Sequence, residues 1–562
     1  MFFLGLAPAG EPTRFTPARD RAAIPATPAA HEQPPSILPQ AFLVGETLIP
    51  DNRISEPTIA EIPIPEPLPQ PAAERVRPPG AVPPPPPKES TVPGAAIDDR
   101  DQPLTLCEVL QSVMLHYPLL QAVERERSIA AGRLTSAMGA FDTNVSAQGS
   151  SLAPGTYQNY RSDLGVSRLL PYGGMNVFGG YRTGYGDFPT YNLQQLTADG
   201  GEWRGGITVP LAKNRDIDRP RASRAQAELD TALAEPVIQR SQLDYMRAAA
   251  RTYWNWLGSG QRRTAAGEVV EAAAELEKEL AIRVQLGANA NIDRVDNQQN
   301  LALRQAVAVQ ADRAVQQATI DLSLFHRDPQ GKPLLAGSRR LQPVPTPFEP
   351  PKLLYDQSLA RALAARPEFQ RLSLQREKLL VERRLAENQT LPGIDSQIVG
   401  NQDAGFGTSA LSGPNGLDRQ VLQAQLVFQM PAERRDARGR IATLQAQMSQ
   451  VERQLQFAED QVRAEVQDAY SALERGYEFH KQALQRMDLA RTVWQAEREQ
   501  LRLGRSDVLR VTIREQAAFD AQIYEITARQ EFWRAESDLR AADASLGPES
   551  CGFPATGLLD CP

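Results

Sequence analysis

Two long segments with almost no proline constrain the fold of this chain more than any other feature. Residues 222–286 and 438–503 are rich in Ala, Leu, Gln, Glu and Arg, and Pro236 is the single proline within them. A helix of about 65 residues is about 100 Å long. A compact globular core does not bury a helix of that length, so we expect coiled-coil partners. Gly287 and Gly504 follow the two segments directly and are typical residues for ending a helix.

The long segments belong to an internal duplication with a spacing of 217 residues. Tyr253 recurs at that spacing as Tyr470, and the two terminating glycines are separated by the same distance. Farther upstream, Pro210 and Pro431 each follow an alternating apolar segment and precede a charged one. Repeats of this kind indicate one structural unit used twice. We therefore predict an α+β fold in which each unit has the order helix, strands, very long helix and shorter return helix.

Changes in composition set the boundaries of the two units. Residues 1–100 hold 23 of the 45 prolines, and such a segment buries little and stays extended. The expected boundaries are a disordered Pro-rich linker at 1–100, a first unit at 104–328 (strands about 141–211, long helix about 219–286, return helix about 292–326), a linker at 329–352, a second unit at 353–547 (strands about 394–430, long helix about 434–503, return helix about 506–546) and a flexible tail at 548–562.

The first unit carries more strand sequence than the second. Pro118 and Pro210 are 92 residues apart, whereas the corresponding Pro367 and Pro431 are 64 residues apart. The 28 additional residues match one hairpin of two strands of roughly 9–11 residues with turns. Apolar and polar residues alternate on both sides of a Pro-Tyr-Gly-Gly turn signal in 161–186. We predict an additional β-hairpin there, in the first unit alone.

Composition excludes several classes of protein. The mean hydropathy is -0.41 and 41% of residues are hydrophobic, and no apolar run approaches the ~20 residues of a spanning helix. Membrane β-strands remain compatible with this composition, because their alternation hides them from hydropathy averages. The net charge of -7, with acids and bases interspersed, argues against a nucleic-acid partner.

The sequence offers no pattern of catalytic or metal-binding residues. Its four histidines are far apart, and Glu478 and His480 match no catalytic spacing. Cys551 and Cys561 either close a small loop in an oxidising compartment or remain unpaired thiols. Met1–Gly10 is apolar but short and lacks basic residues, so it is at best the remnant of a signal peptide. A wrongly assigned start explains this, and a cytoplasmic protein is the alternative. We expect no catalytic residue, metal or cofactor.

Four local motifs accompany the duplicated architecture. They are LeuThrLeuCysGluValLeu at 104–110, ArgLeuLeuProTyrGlyGly at 168–174, IleThrValProLeu at 207–211 and GlyArgSerAspValLeuArg at 504–510. In their order and duplication, they resemble the TolC-like outer-membrane efflux proteins, also called outer-membrane factors. The resemblance covers about 104–547, and each motif by itself is weak.

The resemblance implies a homotrimer in which each protomer contributes strands to one membrane β-barrel and long helices to a coiled-coil barrel across the periplasm. Its implied function is a passive exit duct for multidrug efflux or type I secretion, placed in outer-membrane lipid and working with a periplasmic adaptor and an inner-membrane pump. The additional hairpin either enlarges the barrel from twelve strands to eighteen or folds outside the membrane.

The same resemblance points to charged residues at the periplasmic tip. Asp507 matches an acidic tip position of the family, whereas Arg510 stands where the family often has a second acid. The first unit offers Asp293 and Asp296, which lie on one helical face at a spacing of three. A threefold ring of such charges filters ions by its field. The alternative is that these aspartates serve as helix N-caps.

Two other readings of the sequence remain. A periplasmic coiled-coil adaptor also has helical hairpins but would carry one hairpin between other domains, and a structural scaffold of an envelope complex would not need alternating strands.

Among the aromatic residues, Trp254 and Trp256 are expected to pack in a helix junction, with ligand stacking as the alternative. Tyr181 and Tyr185 belong either to an aromatic girdle or to a loop.

Overall fold

A six-stranded sheet and eight helices make up most of the chain that the structure describes. It is a computed structural model, and it describes residues 96–152, 155, 157–188, 197–405 and 420–548. In chain order, the first half contains β1 (Ala96–Asp98), α1 (Leu106–His116), α2 (Pro118–Met138), β2 (Thr143–Leu152), β3 (Asn159–Leu169), β4 (Asn176–Gly186), β5 (Glu202–Pro210), α3 (Arg219–Gln285) and α4 (Asn291–Ser323). The second half contains β6 (Leu334–Ala336), α5 (Leu354–Ala365), α6 (Pro367–Asn388), β7 (Gly393–Asp403), β8 (Val421–Gln429), α7 (Arg435–Arg502) and α8 (Val508–Ala542).

The long helices α3 and α7 have 67 and 68 residues, so each is about 100 Å long. The α3 helix begins after Asp218, whose carboxylate accepts a hydrogen bond from the backbone N–H of Arg221 at 2.9 Å. This cap satisfies one of the unpaired N–H groups of the first turn. Both helices end before a glycine, Gly287 or Gly504, with φ of 70° and 72°. Because non-glycine residues rarely adopt such angles, glycine there favours the reversal into α4 or α8.

The β-hairpin predicted for 161–186 is present. The β3 and β4 strands pair antiparallel from Asn159–Gly186 to Leu169–Asn176, and the turn between them contains Gly173 and Gly174 at positive φ. A Cβ on Gly174 would lie 2.4 Å from the carbonyl oxygen of Asn214. Glycine is therefore required both by the backbone angle and by this close approach.

The additional hairpin joins the same sheet as the other strands. The strand order is β2-β3-β4-β5-β7-β8, and every neighbouring pair is antiparallel. The β5–β7 pair connects the two halves of the chain, from Glu202–Asp403 to Pro210–Asp395. The order also leaves β2 and β8 as the two edges of the sheet.

Short strands occur in segments that the sequence analysis assigns to linkers. β1 lies within the expected linker 1–100, and it pairs parallel with β6, which lies within the expected linker 329–352. The two expected linkers therefore contain short paired strands at Ala96–Asp98 and Leu334–Ala336. Three-residue strands have no detectable periodicity, and their pairing partners are more than 200 residues apart.

The main hydrophobic core lies where α1, α3, α7 and α8 meet. Its largest fully buried side chains include Tyr253, Trp254, Trp256 and Phe532. The Trp254 ring stacks on Trp533 with centroids 5.4 Å apart. None of the described helices is long and apolar enough to cross a membrane.

Candidate functional site

The register of the sheet divides its side chains into an apolar and a polar face. One line of paired residues crosses all six strands: Val145, Val166, Gly179, Gly205, Gly400 and Leu422. Because side chains alternate along each strand, every second residue from this line shares its face. We call this the apolar face; its large side chains include Val145, Tyr160, Leu164, Val166, Val177, Tyr181, Tyr185, Trp203, Ile207, Val209, Ile394, Ile398, Leu422, Leu426 and Phe428. Within the described strands, Arg168 is its only charged residue.

The apolar face is not covered by the chain itself. Leu426 and Phe428 on the edge strand β8 are 66% and 64% exposed, and Trp203 in the middle of the sheet is 62% exposed. An exposed apolar surface that extends across six strands marks a contact with another molecule or with lipid.

The opposite, polar face carries the other charged residues of the six described strands. The guanidinium Nε of Arg161 lies 2.7 Å from Asp163 Oδ2, and Arg204 lies 3.7 Å from the other oxygen of that carboxylate. Arg182 forms a further ion pair with Glu202. These groups compensate one another across β3, β4 and β5, and the face suits contact with water.

Aromatic residues cluster on the apolar face near the end of the sheet that lies away from the helices. Tyr160 pairs with Tyr185, and Tyr181 pairs with Trp203 with ring centroids 4.9 Å apart. The hydroxyls of Tyr181 and Tyr185 donate to the carbonyls of Gly200 and Asp199, each at 2.8 Å. Tyr181 and Tyr185 therefore lie in a strand and not in a loop.

The edges of the sheet are unpaired within the chain. In the described part, β2 pairs with β3 alone, and β8 pairs with β7 alone. All residues of both edge strands are exposed. Each edge therefore presents a row of free backbone donors and acceptors.

At the opposite end from the sheet, the two helical hairpins contact each other. Leu276 and Leu280 of α3 pack with Leu501 of α7 and with Val508 and Val511 of α8. Charged groups surround this small core. Pairs are formed by Arg498 and Glu275 at 2.8 Å and by Arg502 and Glu279 at 3.5 Å.

Asp507 is the N-cap of α8. Its Oδ1 accepts the backbone N–H of Arg510 at 2.8 Å, and its Oδ2 lies 3.3 Å from the Arg510 Nε. Both side chains are largely exposed. The predicted cap role is confirmed for Asp507, and its charge is compensated by the arginine that departs from the family pattern.

The aspartates of the first hairpin have a different environment. The N-cap of α4 is Ala290, which has no capping side chain, so the N-cap alternative is wrong for Asp293. Asp293 lies in the first turn and accepts a hydrogen bond from the Asn289 amide at 3.0 Å. Asp296 is exposed and forms no ion pair within the described ranges.

A buried ion pair links α4 to α8 behind this end of the hairpins. Arg304 Nε lies 3.5 Å from Glu515 Oε1, and both side chains are 4% exposed. Burial raises the pKa of the Glu515 carboxyl, which Arg304 partly opposes. The α4 face that carries Arg304 also holds Asn297 and Asn300, each with a buried polar atom that has no partner in the described part of the chain.

A second polar cluster lies beside the β1–β6 pair, and sequence reasoning missed it. Arg340 is buried and contacts the carboxylates of Asp98 and Glu108, while His326 Nε2 lies 3.0 Å from Asp98 Oδ2. Burial opposes ionisation of Asp98, but hydrogen bonds from Arg100, His326 and Arg340 outweigh it and hold its pKa below the usual range. Burial lowers the pKa of His326.

This cluster has donor atoms of the kind that bind metals, but its charges do not fit a cation. The ligand atoms of Asp98, Glu108 and His326 lie within 4.8 Å of one another. The Arg340 guanidinium already contacts both carboxylates, and Arg100 pairs with them as well. A metal ion would have to displace two arginines, so the cluster is a structural ion-pair network.

The remaining candidate residues from the sequence are structural or lie outside the described residues. Trp254 and Trp256 are buried and donate to Ser537 Oγ at 2.9 Å and Thr319 Oγ1 at 3.1 Å, which confirms packing. His480 lies 3.4 Å from Glu525 and not beside Glu478, and burial lowers its pKa. Pro210 ends β5, and Pro431 follows β8. Cys551 and Cys561 lie outside the described residues, as does the apolar stretch Met1–Gly10.

Comparison with known proteins identifies the fold. No family model and no curated protein matches the sequence. The Campylobacter jejuni CmeC outer membrane channel is 12% identical, with a TM-score of 0.56 over 79% of this chain and 86% of its own. The Neisseria gonorrhoeae MtrE outer membrane channel is 13% identical, with a TM-score of 0.56 over 82% and 95%. The outer membrane protein VceC of Vibrio cholerae is also 13% identical, with a TM-score of 0.56 over 78% and 95%.

These similarities cover about four-fifths of the chain. Identities of this size establish the fold alone. The chain has the TolC-like fold of the outer-membrane factor channels.

Proposed function

We propose that this protein is an outer-membrane exit duct that passively conducts small molecules or proteins to the cell exterior. The observation that carries this proposal is the six-stranded sheet with one apolar face, one charged face and two open edges. On a barrel wall, the apolar face contacts lipid and the polar face lines a water-filled interior. The aromatic cluster around Tyr181 and Trp203 then lies at one lipid–water interface.

Closure of the sheet requires further copies of the chain. An open edge in lipid leaves backbone N–H and C=O groups unpaired, each costing several kcal/mol. If β8 of one protomer pairs with β2 of the next, three copies form a closed barrel of eighteen strands. The additional hairpin β3–β4 is then part of the barrel wall. Both the family resemblance in the sequence and this geometry of the sheet edges favour a homotrimer.

The helices supply the second part of the proposed duct. The order of helix pair, strands, long helix and return helix occurs in both halves, and we attribute it to duplication of one unit. A single protomer does not bury all the apolar surface of its helical hairpins. Exposed apolar residues remain on them, such as Val309, Phe457, Leu489 and Val493. We propose that these surfaces pack against neighbouring protomers as a coiled-coil barrel that extends into the periplasm.

The helical end is the proposed entrance. Asp293, Asp296, Asp507 and Arg510 lie at or next to the turns that follow Gly287 and Gly504. Three copies would place these charges around one axis, where they act on passing ions. Because Arg510 neutralises Asp507, we attribute the acidic character of this entrance mainly to Asp293 and Asp296.

The proposed location and partners follow from the same architecture. The barrel requires outer-membrane lipid, and the entrance requires a periplasmic adaptor and an inner-membrane pump that deliver cargo for efflux or type I secretion. No cofactor is needed, because conduction is passive. An adaptor or a scaffold function does not account for a sheet with an exposed apolar face.

Mass measurement and conductance of the purified full chain test this proposal. In mild detergent we expect a particle of three times the chain mass of 61.8 kDa, and in planar bilayers we expect discrete single-channel steps. A stable monomer in mild detergent, or a chain that remains in solution without detergent, would contradict the channel function.

A further inference from the structure

Arg168 interrupts the apolar face at the end of the sheet that adjoins the helices. Its side chain is exposed, although its neighbours on this face of the described strands are uncharged. The guanidinium Nε donates to the carbonyl of Phe141 at 3.2 Å. Within the described residues Arg168 forms no ion pair, not even with the adjacent Asp142. Both Nη groups therefore remain available to a partner outside the chain.

The contact with Phe141 fixes the direction of the Arg168 side chain. Arg168 pairs with Thr143 at the start of β2, and Phe141 lies two residues before Thr143, in the turn that follows α2. The guanidinium is thus drawn past the end of β2 toward the helical body. An arginine on a lipid-facing surface takes this position, with its stem along the hydrocarbon and its charged end in the polar boundary.

The level of Arg168 on the sheet matches the edge of an apolar membrane band. Arg168 and Tyr160 share the apolar face at opposite ends of β3, eight residues apart, which is about 27 Å along the strand. With a strand tilt of 35–45°, this corresponds to roughly 20 Å across the membrane, close to the apolar band of barrels. Tyr172, in the turn after β3, is 79% exposed, and tyrosine is enriched at such boundaries.

We propose that Arg168 binds the headgroup phosphate of an anionic phospholipid in the inner leaflet, with one such lipid per protomer. The proposal rests on the barrel described under the proposed function, which places the helices on the periplasmic side. A guanidinium binds a phosphate with two parallel hydrogen bonds. The Thr143 hydroxyl lies within reach of the same phosphate, because the Cβ atoms of directly paired residues are about 4.5–5.5 Å apart.

The chemistry of the headgroup decides between lipid classes. An anionic headgroup leaves the charge of its phosphate for the arginine, whereas the ammonium of a zwitterionic headgroup compensates that charge within the lipid. The next residues along the same face, Val145 and Val166, form a direct pair and are exposed. They would contact the acyl chains of the bound lipid.

Native mass spectrometry of the full chain tests this site after reconstitution in lipid discs. The discs contain equal amounts of phosphatidylglycerol and phosphatidylcholine with the same acyl chains. We expect the unchanged trimer to retain phosphatidylglycerol in preference. Arg168→Gln should lower the retained ratio of the two lipids about fivefold, the factor expected for one basic residue at a membrane surface. Arg475→Gln, on an exposed part of α7, should leave the ratio unchanged.

A matched pair of variants at Thr143 tests the site without changing Arg168. Thr143→Asp places a carboxylate directly beside the guanidinium, so it should lower the ratio as Arg168→Gln does. Thr143→Asn is of similar size but uncharged, and the ratio should stay within about twofold of that of the unchanged chain. This pair decides the matter if the Arg168→Gln chain does not assemble.

The outcomes separate the lipid site from the channel. The lipid site is overturned if Arg168→Gln and Thr143→Asp retain the same ratio as the unchanged chain, or if Arg475→Gln lowers the ratio equally. The channel proposal stands in both cases, because trimer mass and conductance are measured on the unchanged chain. An unchanged chain that neither forms trimers nor enters the discs refutes the channel and the lipid site together.

Discussion

The helical body and the sheet differ in where their stabilising contacts lie. In the body, the large apolar side chains are buried by the chain itself: Trp254 is 1% exposed and packs against Trp533. In the sheet, large apolar side chains are exposed instead, and Leu426 is 66% exposed. The difference indicates that contacts within the chain stabilise the body, whereas in the proposed barrel the apolar face of the sheet would be covered by lipid and its edges by other copies.

The strongest test of this comparison is removal of a large side chain from the body. Trp254→Ala deletes a buried indole and its hydrogen bond to Ser537, and we expect a loss of about 3–5 kcal/mol in the free energy of unfolding. The loss should occur with or without lipid and should be visible as a lower thermal midpoint of the helical circular dichroism. An unchanged midpoint would mean that the core around Trp254 does not hold the body together.

Matched substitutions on neighbouring residues of β8 test the sheet. Leu426→Arg places a charge on the apolar face, and in lipid this should cost about 2–4 kcal/mol per chain near the bilayer midplane. Gln425→Arg places the same charge on the polar face, and we expect normal assembly with altered ion selectivity. The measurement is the yield of trimer in outer-membrane fractions, with the midpoint of the helical body as the internal control. Equal yields for the two variants would contradict the assignment of the faces.

The hairpin ends provide a smaller test within the body. Asp507→Ala removes the N-cap of α8, and we expect a loss of about 1 kcal/mol, measured as faster amide exchange at Val508 to Val511. We also expect weaker block by multivalent cations in single-channel recordings. Arg510→Gln should have the reverse effect on block, because it leaves Asp507 uncompensated. Should neither variant alter block, Asp507 is a helix cap only.

The smallest expected effect is a pH dependence from His326. Burial lowers its pKa in the folded chain, so the unfolded chain binds the proton more readily. The contribution of neutral His326 to the free energy of unfolding is therefore complete above the pKa of about 6.5 in the unfolded chain, and it is lost as the pH falls below that pKa. Denaturation followed at several pH values should show a shallower decline for His326→Gln than for the unchanged chain. His116→Gln at the end of α1 is the control, and an identical decline in His326→Gln would exclude this group.

Sequence reasoning succeeded where structure follows from local periodicity. Long segments with almost no proline predicted the two long helices. The difference in spacing between corresponding prolines of the two units predicted the additional hairpin at 161–186. Alternation along β8 also assigns Leu426 and Gln425 to opposite faces of the sheet, without any knowledge of which strands pair. In each case the pattern is repeated over many residues, so that a single substitution does not hide it.

Contacts between distant residues were not predictable in this way. The Asp98–His326 and Asp98–Arg340 contacts join residues that are 228 and 242 positions apart, and the Arg304–Glu515 pair joins two helices whose surfaces carry many similar charges. Which arginine meets which carboxylate depends on the packing of helices in three dimensions. The pairing of Asp507 with Arg510 is easier to predict from the sequence, because a spacing of three on a helix favours such pairs.

The two open edges of the sheet have a consequence for assembly. One chain has two unpaired edges, and an open pair of chains also has two, because the contact that forms removes one edge from each. In the proposed trimer, the third chain closes the ring and leaves none. The last step therefore forms two ladders at once, so populations of dimer should stay low and the fraction assembled should rise steeply with chain concentration.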